Sequence, residues 1–242
     1  MALSRDIFLH EIIDIVGLGA WPYMEHTRGA QGEEKVGMQL LGTWYTVGCT
    51  GRWSQVVNVW EMPGGWPGWR DSIDRLGLRR RSNEQLSGWW HEAHKYRTGG
   101  FDRQLAGVPG CPNIASLTAA GVNGTMFVHE LSEVRPGAGP EYLEAVRDEW
   151  VPVAREYGLE PVGLYEVLMN DTEVVTIWAS DIDSIVKLAR TGDACRGLDA
   201  EVEADDRVAT WRRRAREFCT RWREELMVPC PGTTCCPQSG EF

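Results

Sequence analysis

Two His-Glu dipeptides, His10-Glu11 and His129-Glu130, are the residues of this chain best placed to do chemistry. A histidine in a largely apolar cavity titrates near neutral pH and can move a proton in enolisation, dehydration or cyclisation. The plainer alternative is a buried ring that satisfies a backbone carbonyl at a strand end. Neighbours along a strand face opposite ways, so His10 and Glu11 are not expected to touch. Tyr23, Glu25 and His26 bring a hydroxyl, a carboxylate and an imidazole into one glycine-rich segment, either the border of a cavity or an exposed loop. His91-Glu-Ala-His94 puts two imidazoles on one helical face, but lacks the i, i+4 spacing of a metalloprotease helix and an evident third ligand. Ile13 to Gly19 has the strand and Gly-x-Gly that open a dinucleotide fold, yet the third glycine is missing and Pro22 interrupts the helix. The expectation is therefore no metal and no resident cofactor.

These residues need elements to hold them, and the second half of the chain is the more regular. Met126 to Leu131 reads as a strand, and Arg135-Pro-Gly-Ala-Gly-Pro140 breaks it. Leu143, Val146, Trp150, Val153 and Tyr157 recur at helical spacing until Gly158. Strands follow at Val162 to Leu168 and Val174 to Trp178, joined at Asn170-Asp171, and Asp181 caps a helix from Ile182 to Arg190. The first half repeats this order. Phe8-Leu-His-Glu11 matches Phe127-Val-His-Glu130, Leu41-Gly42 matches Val162-Gly163, and Val56 to Trp60 matches Val174 to Trp178. Trp90 aligns with Trp211, Phe101 with Trp222 and Leu105 with Leu226, which reads as a duplication with its seam near Ala120 to Asn123. The domains expected are residues 1–122 and 123–242, with a flexible Cys/Pro tail from about residue 229 that holds Cys230, Cys235 and Cys236.

The second half resembles the NIPSNAP type of the dimeric α+β barrel superfamily. The likeness rests on Arg135-Pro136-Gly137, Tyr142-Leu143, Pro152, Gly158 and the Val174-to-Trp178 strand. It implies an α+β fold in which two tandem ferredoxin-like repeats pair their antiparallel sheets into one intrachain barrel. It implies no particular reaction.

Given a barrel, strand alternation sorts the side chains. We expect Val57, Val59, Val175 and Ile177 on the helix-covered face, and Asn58, Trp60, Thr176 and Trp178 facing the lumen with His10 and His129. Trp44 joins this ligand-binding set, and Trp66, with Trp69, folds over the mouth as a lid or caps the core where sheet meets helix. The first half carries eight of the twelve tryptophans and four of the five histidines, and its first helix, rich in glycine and proline, reads as part loop. Function is thus expected to centre on His10, Tyr23, His26, Trp44 and Trp60, with His129 and Trp178 on the far wall.

Composition narrows the class. The formal net charge is −10, which argues against a general nucleic-acid partner, and the Arg79-Arg80-Arg81 and Arg212-Arg213-Arg214 runs read as solvated faces. No apolar run approaches the roughly 18 residues of a membrane span, and seven irregularly spaced cysteines do not form a secreted disulfide pattern, so a cytoplasmic location is expected. The reading is a cofactor-independent acid/base enzyme (isomerase, cyclase, lyase or monooxygenase) acting on a small apolar or aromatic substrate held in the barrel. The alternatives are a non-catalytic small-molecule binding barrel, or a haem protein using His26, His91 or His94. A homodimer stays open.

Overall fold

In the computed structural model, which describes residues 5–30, 37–75 and 82–237, the two halves follow the same order of elements. The first runs β1 (Ile7–Ile15), α1 (Ala20–Gly29), β2 (Gln39–Thr46), β3 (Gln55–Met62), α2 (Gly65–Ile73), α3 (Glu84–Ala93) and β4 (Arg97–Gly107). Helix α4 (Ile114–Ala120) leads up to the seam and ends at Gly121, whose φ of 64° is a left-handed helix stop. The second half runs β5 (Met126–Val134), α5 (Gly139–Ala145), a π-helical turn (Val146–Trp150), α6 (Val151–Glu156), β6 (Glu160–Val167), β7 (Glu173–Ser180), α7 (Ile182–Ala194), α8 (Asp206–Ala215) and β8 (Cys219–Pro229). The Arg79-Arg80-Arg81 run and the end of the glycine-rich segment lie outside the described residues.

Each half pairs its first strand between its third and fourth, and the eight antiparallel strands close into one barrel in the order β1-β3-β2-β8-β5-β7-β6-β4. Within a half the ladders are long: β1 and β3 align from Ile7 with Met62 to Asp14 with Gln55. The two seams are short. Strands β2 and β8 share three residue pairs, from Trp44 with Pro229 to Thr46 with Met227, and β4 and β6 share three, from Leu105 with Val167 to Gly107 with Tyr165.

Local chemistry accounts for the elements. Asp181 caps α7 by accepting from the Ser184 amide at 2.8 Å. Gly158, at φ 79°, turns the chain out of α6. Pro152 has no N–H for the Asp148 carbonyl, and just ahead of it the turn widens, with the Val151 amide reaching back five residues to Val146. Of the glycine-rich segment, Ala20–Gly29 forms the helix α1, while Gly17 to Gly19 and Ala30 lie outside it, in line with the part-loop expectation. The helix's proline sits in the first turn, where amides have no intrahelical partner anyway.

Apolar side chains fill three layers. One lies between the first-half sheet and its helices, around Tyr23, Trp60 and Trp89. A second lies between the second-half sheet and its helices, around Tyr142, Trp150, Trp178 and Trp211. The third is the lumen and draws on both halves, with Phe8, Trp44, Val57 and Val59 against Phe127, Tyr165, Val175 and Ile177. The expected flexible tail is packed over the described part of its length. The Cys230 amide donates to Thr43, Cys235 accepts from the Gly124 amide, and both cysteines are buried, Cys235 against the lumen cluster.

Candidate functional site

Strand register decides which side chains meet. Directly opposed residues of an antiparallel pair share a face, and His10 opposes Val59 while Glu11 opposes Asn58. The second half matches: His129 opposes Ile177 and Glu130 opposes Thr176. The histidines therefore face the lumen with Val57, Val59, Val175 and Ile177. Asn58, Trp60, Thr176 and Trp178 lie with Glu11 and Glu130 beneath the helices, which corrects the face expected for all eight of these β3 and β7 residues. Aliphatic content misled because the lumen is itself a packed apolar core, as closed barrels of this size are.

The lumen is built in tiers. At one end Phe8 packs on Tyr165 and Trp44 on Phe127, with ring centroids 5.0 and 5.4 Å apart, each pair crossing between halves. Trp44 is thus the one expected substrate-binding tryptophan that does face the lumen. The next tier is the imidazole pair: His10 and His129 are fully buried with centroids 5.0 Å apart. No ring nitrogen of either has a hydrogen bond, and the nearest carboxylate is Glu225 Oε2, 3.6 Å from His129 Nδ1. Burial, then the partner imidazole and Arg103, hold His10 well below the usual imidazole range. His129 is also depressed by burial, with Glu225 opposing the shift. Ile12 and Leu131 form a third tier, and beyond them a cavity of about 240 Å³ opens at the barrel end, bordered by Arg52, Arg103, Arg221 and Arg223.

Beneath the helices, each half holds one carboxylate. Glu11 Oε2 accepts from Asn58 Nδ2 at 3.0 Å and from Trp60 Nε1 at 2.7 Å. Tyr23 lies in the same layer, and burial, reinforced by the Glu11 carboxylate, pushes its hydroxyl pKa up. In the second half Glu130 Oε2 accepts from Trp178 Nε1 at 2.7 Å and from Thr176 Oγ1. Burial and the neighbouring Glu224 carboxylate push Glu130 up to about 7. A cavity of about 110 Å³ adjoins Glu130, walled by Trp150, Trp211 and Trp222, with Arg212 and Glu224 at its edge. The rings of Trp150 and Trp211 stack at 5.7 Å and 8°. A base of this acidity against an aromatic wall can take a proton from a weakly acidic ring substrate near neutral pH.

The other candidates are dispersed. His26 sits half-buried on α1, stacked on Trp89 with its Nε2 3.1 Å from the Trp89 carbonyl oxygen, away from the lumen. Tyr23 and His26 therefore do not join His10. Trp66 is exposed on α2, edge-on to Trp69, which packs into the first-half layer. Both follow the far end of β3 from the open cavity, so they cap sheet against helix and form no lid. His91 and His94 are exposed on α3, and no group of three possible metal ligands occurs among the described residues.

Glu130 is the residue that sequence reasoning passed over in favour of its histidine neighbour. The signal was present: pairing β5 with β7 sets a carboxylate directly beside Thr176 and Trp178. One alignment also slips. Arg103 opposes His10 and Glu225 opposes His129, so Leu105 corresponds to Met227 in the lumen and not to Leu226, which packs under the helices.

Three solved structures are similar over nearly the whole chain. A candidate monooxygenase from Fusobacterium nucleatum has a TM-score of 0.57 and 11% identity, covering 95% of this chain and 94% of that one. A candidate monooxygenase from Lactobacillus acidophilus gives 0.58 and 10%, covering 94% of each chain. An anthrone oxidase-like protein gives 0.59 and 10%, covering 94% of this chain and 92% of that one. At such identity the likeness is one of fold alone. No protein-family model and no curated protein matches the chain. No helix among the described residues is long and apolar enough to cross a membrane.

Proposed function

We propose that this protein is an acid/base enzyme of the cofactor-independent oxygenase type, acting on a small aromatic substrate. Glu130 is its base, and the reacting edge of the substrate ring enters the cavity of about 110 Å³ between the second-half sheet and its helices, with the rest of the ring system at the rim beside Arg212 and Glu224. The observation that carries the reading is the carboxylate buried against Trp178 and Thr176, with a stacked tryptophan wall and a cavity beside it. The names of the structural neighbours agree with it. The site differs from the one expected in the barrel, where side chains fill most of the lumen.

The proposed chemistry balances without a further reductant. Glu130 removes a proton from an activated ring CH2 or from a phenol, and the resulting anion is electron-rich enough to react with dioxygen. For a ring methylene, CH2 and O2 become C=O and H2O: one oxygen atom enters the substrate, and the other leaves as water with both hydrogens, one of them returned from Glu130. Trp178 Nε1 and Thr176 Oγ1 aim the carboxylate, and the tryptophan wall excludes water from the anion. We further read the two halves as a tandem duplication of one ferredoxin-like unit, supported by the matching order of elements and by the matching Glu11–Trp60 and Glu130–Trp178 pairs.

An oxygen electrode with a panel of anthrones and substituted phenols tests the assignment. Oxygen uptake should match carbonyl product one to one, and Glu130→Gln should lower it by ~10² to 10⁴-fold. A bound compound recovered unchanged, with no oxygen consumed across the panel, would favour a binding barrel instead.

A further inference from the structure

The open end of the barrel lies on the opposite face of β5 and β8 from Glu130, so it is separate from the site proposed above. Its cavity of about 240 Å³ has an apolar side formed by Ile12, Phe101 and Leu131. A dry cavity of about 150 Å³ holds a benzene ring, so this volume suits a ring with one small substituent. Its rim arginines are already matched by carboxylates. Arg52 contacts Asp14 at 3.3 Å, Arg103 contacts Glu173 at 2.9 Å, Arg221 contacts Glu133 at 3.5 Å and Arg223 contacts Glu225 at 3.1 Å. Rim charge alone therefore calls for no ligand.

The polar inventory below the rim does. Arg103 Nη1 is buried without a hydrogen bond, and so are all four ring nitrogens of His10 and His129. Each neutral imidazole presents one N–H and one acceptor nitrogen, so the pair is balanced in itself, whereas the guanidinium only donates. The facing acceptor, Glu225, is engaged by Arg223 and lies beside His129. The imidazoles lie one tier deeper, behind Ile12 and Leu131, so at the inner end of the cavity the Arg103 guanidinium is the unmatched donor beside an apolar wall, and a buried donor left unmatched is costly. We infer that the barrel mouth is a second ligand site, which takes a small carboxylate on a single ring or compact apolar group. The carboxylate points inward to Arg103, and the apolar part lies against Phe101, Ile12 and Leu131.

The probe is sodium benzoate, with benzyl alcohol as its uncharged counterpart. Each is titrated calorimetrically into the full-length protein while the histidine ring nitrogens are followed by NMR. Benzoate should bind saturably and at least about tenfold more tightly than the alcohol, because charge-assisted hydrogen bonds differ from neutral ones by that much or more. It should shift the His10 ring signals through Arg103, which opposes His10 across the β1–β4 pair. Arg103→Gln should weaken benzoate about ten- to hundredfold. Should that variant fold poorly, Phe101→Ala, at a half-exposed position, should weaken it severalfold. Trp150→Ala and Glu130→Gln, which act on the other face, should leave benzoate binding intact, so this inference and the proposed oxygenase site fail separately. No saturable benzoate binding up to about 10 mM, equal affinity for the alcohol, or loss in Trp150→Ala with none in Phe101→Ala would each overturn the site.

Discussion

His10 faces the lumen from β1 and Glu130 faces outward from β5 on the other side of the barrel, and burial shifts their proton affinities in opposite directions. For Glu130, the folded chain binds more protons between the ordinary carboxylate value of 4.5 and about 7. Its contribution to stability therefore falls as pH rises through that window. Glu130→Gln should flatten this part of the stability-against-pH curve while keeping an acceptor for Trp178, and chemical denaturation from pH 4 to 8 checks it. For His10 the sign reverses. Its folded pKa lies below 6.5, so the unfolded chain binds the extra proton and stability falls as pH drops below that value. His10→Phe, which keeps a ring in the tier, should reduce that acid-side loss, and an unchanged acid limb would refute the assignment. Within the pair, His129 has Glu225 for a partner and His10 has Arg103, so NMR titration should show His129 protonating first. The sequence exposed the two histidines and placed them in the lumen by their aliphatic neighbours. It did not expose which of them faces Glu225, because that depends on one residue of register in β4 and β8.

Gly42 and Gly163 mark the same place in the two halves, and the barrel explains why both are glycines. A Cβ on Gly42 would lie 2.3 Å from the Trp44 ring, and one on Gly163 would lie 2.0 Å from the Tyr165 ring. Each aromatic folds back over the glycine two positions earlier, next to a break in strand register. Gly163→Ala should cost ~1 to 3 kcal/mol, because Tyr165 must move within a filled lumen, and the denaturation midpoint measures it. Strand and helix positions were legible because their signals are local: the capped start at Asp181, the stop at Gly158, the apolar period through Trp150. Composition showed that the glycine-rich segment is part loop but not how much of it is helix, because it ignores that Pro22 stands in the first turn of α1. The faces of β3 and β7 were misjudged because both faces are apolar here, one against helices and one against the opposite half. Alternation alone distinguishes a covered face from a wet one, and this barrel has few wet positions along those strands.

The molecule closes on two seams of three residue pairs each, while its lumen cluster takes side chains from both halves in quantity. Backbone pairing across the seams is therefore the smaller link between the halves, and the shared core is the larger. Two consequences follow for unfolding. The halves should melt as one unit, with tryptophan fluorescence and far-ultraviolet circular dichroism giving the same midpoint. A lumen substitution in one half should also loosen the other. Val57 and Val175 are fully buried in the shared cluster, one from each half. Asp at either position would bury an unpaired charge, and each variant should fail to fold in both halves. Val175→Ala is the graded form, expected to cost about 1 to 3 kcal/mol. Under it, amide exchange of β1 and β3 in the first half should speed up together with that of β7. A two-step melt, or faster exchange confined to the second half, would mean that each half folds on its own core and that the shared lumen couples them little.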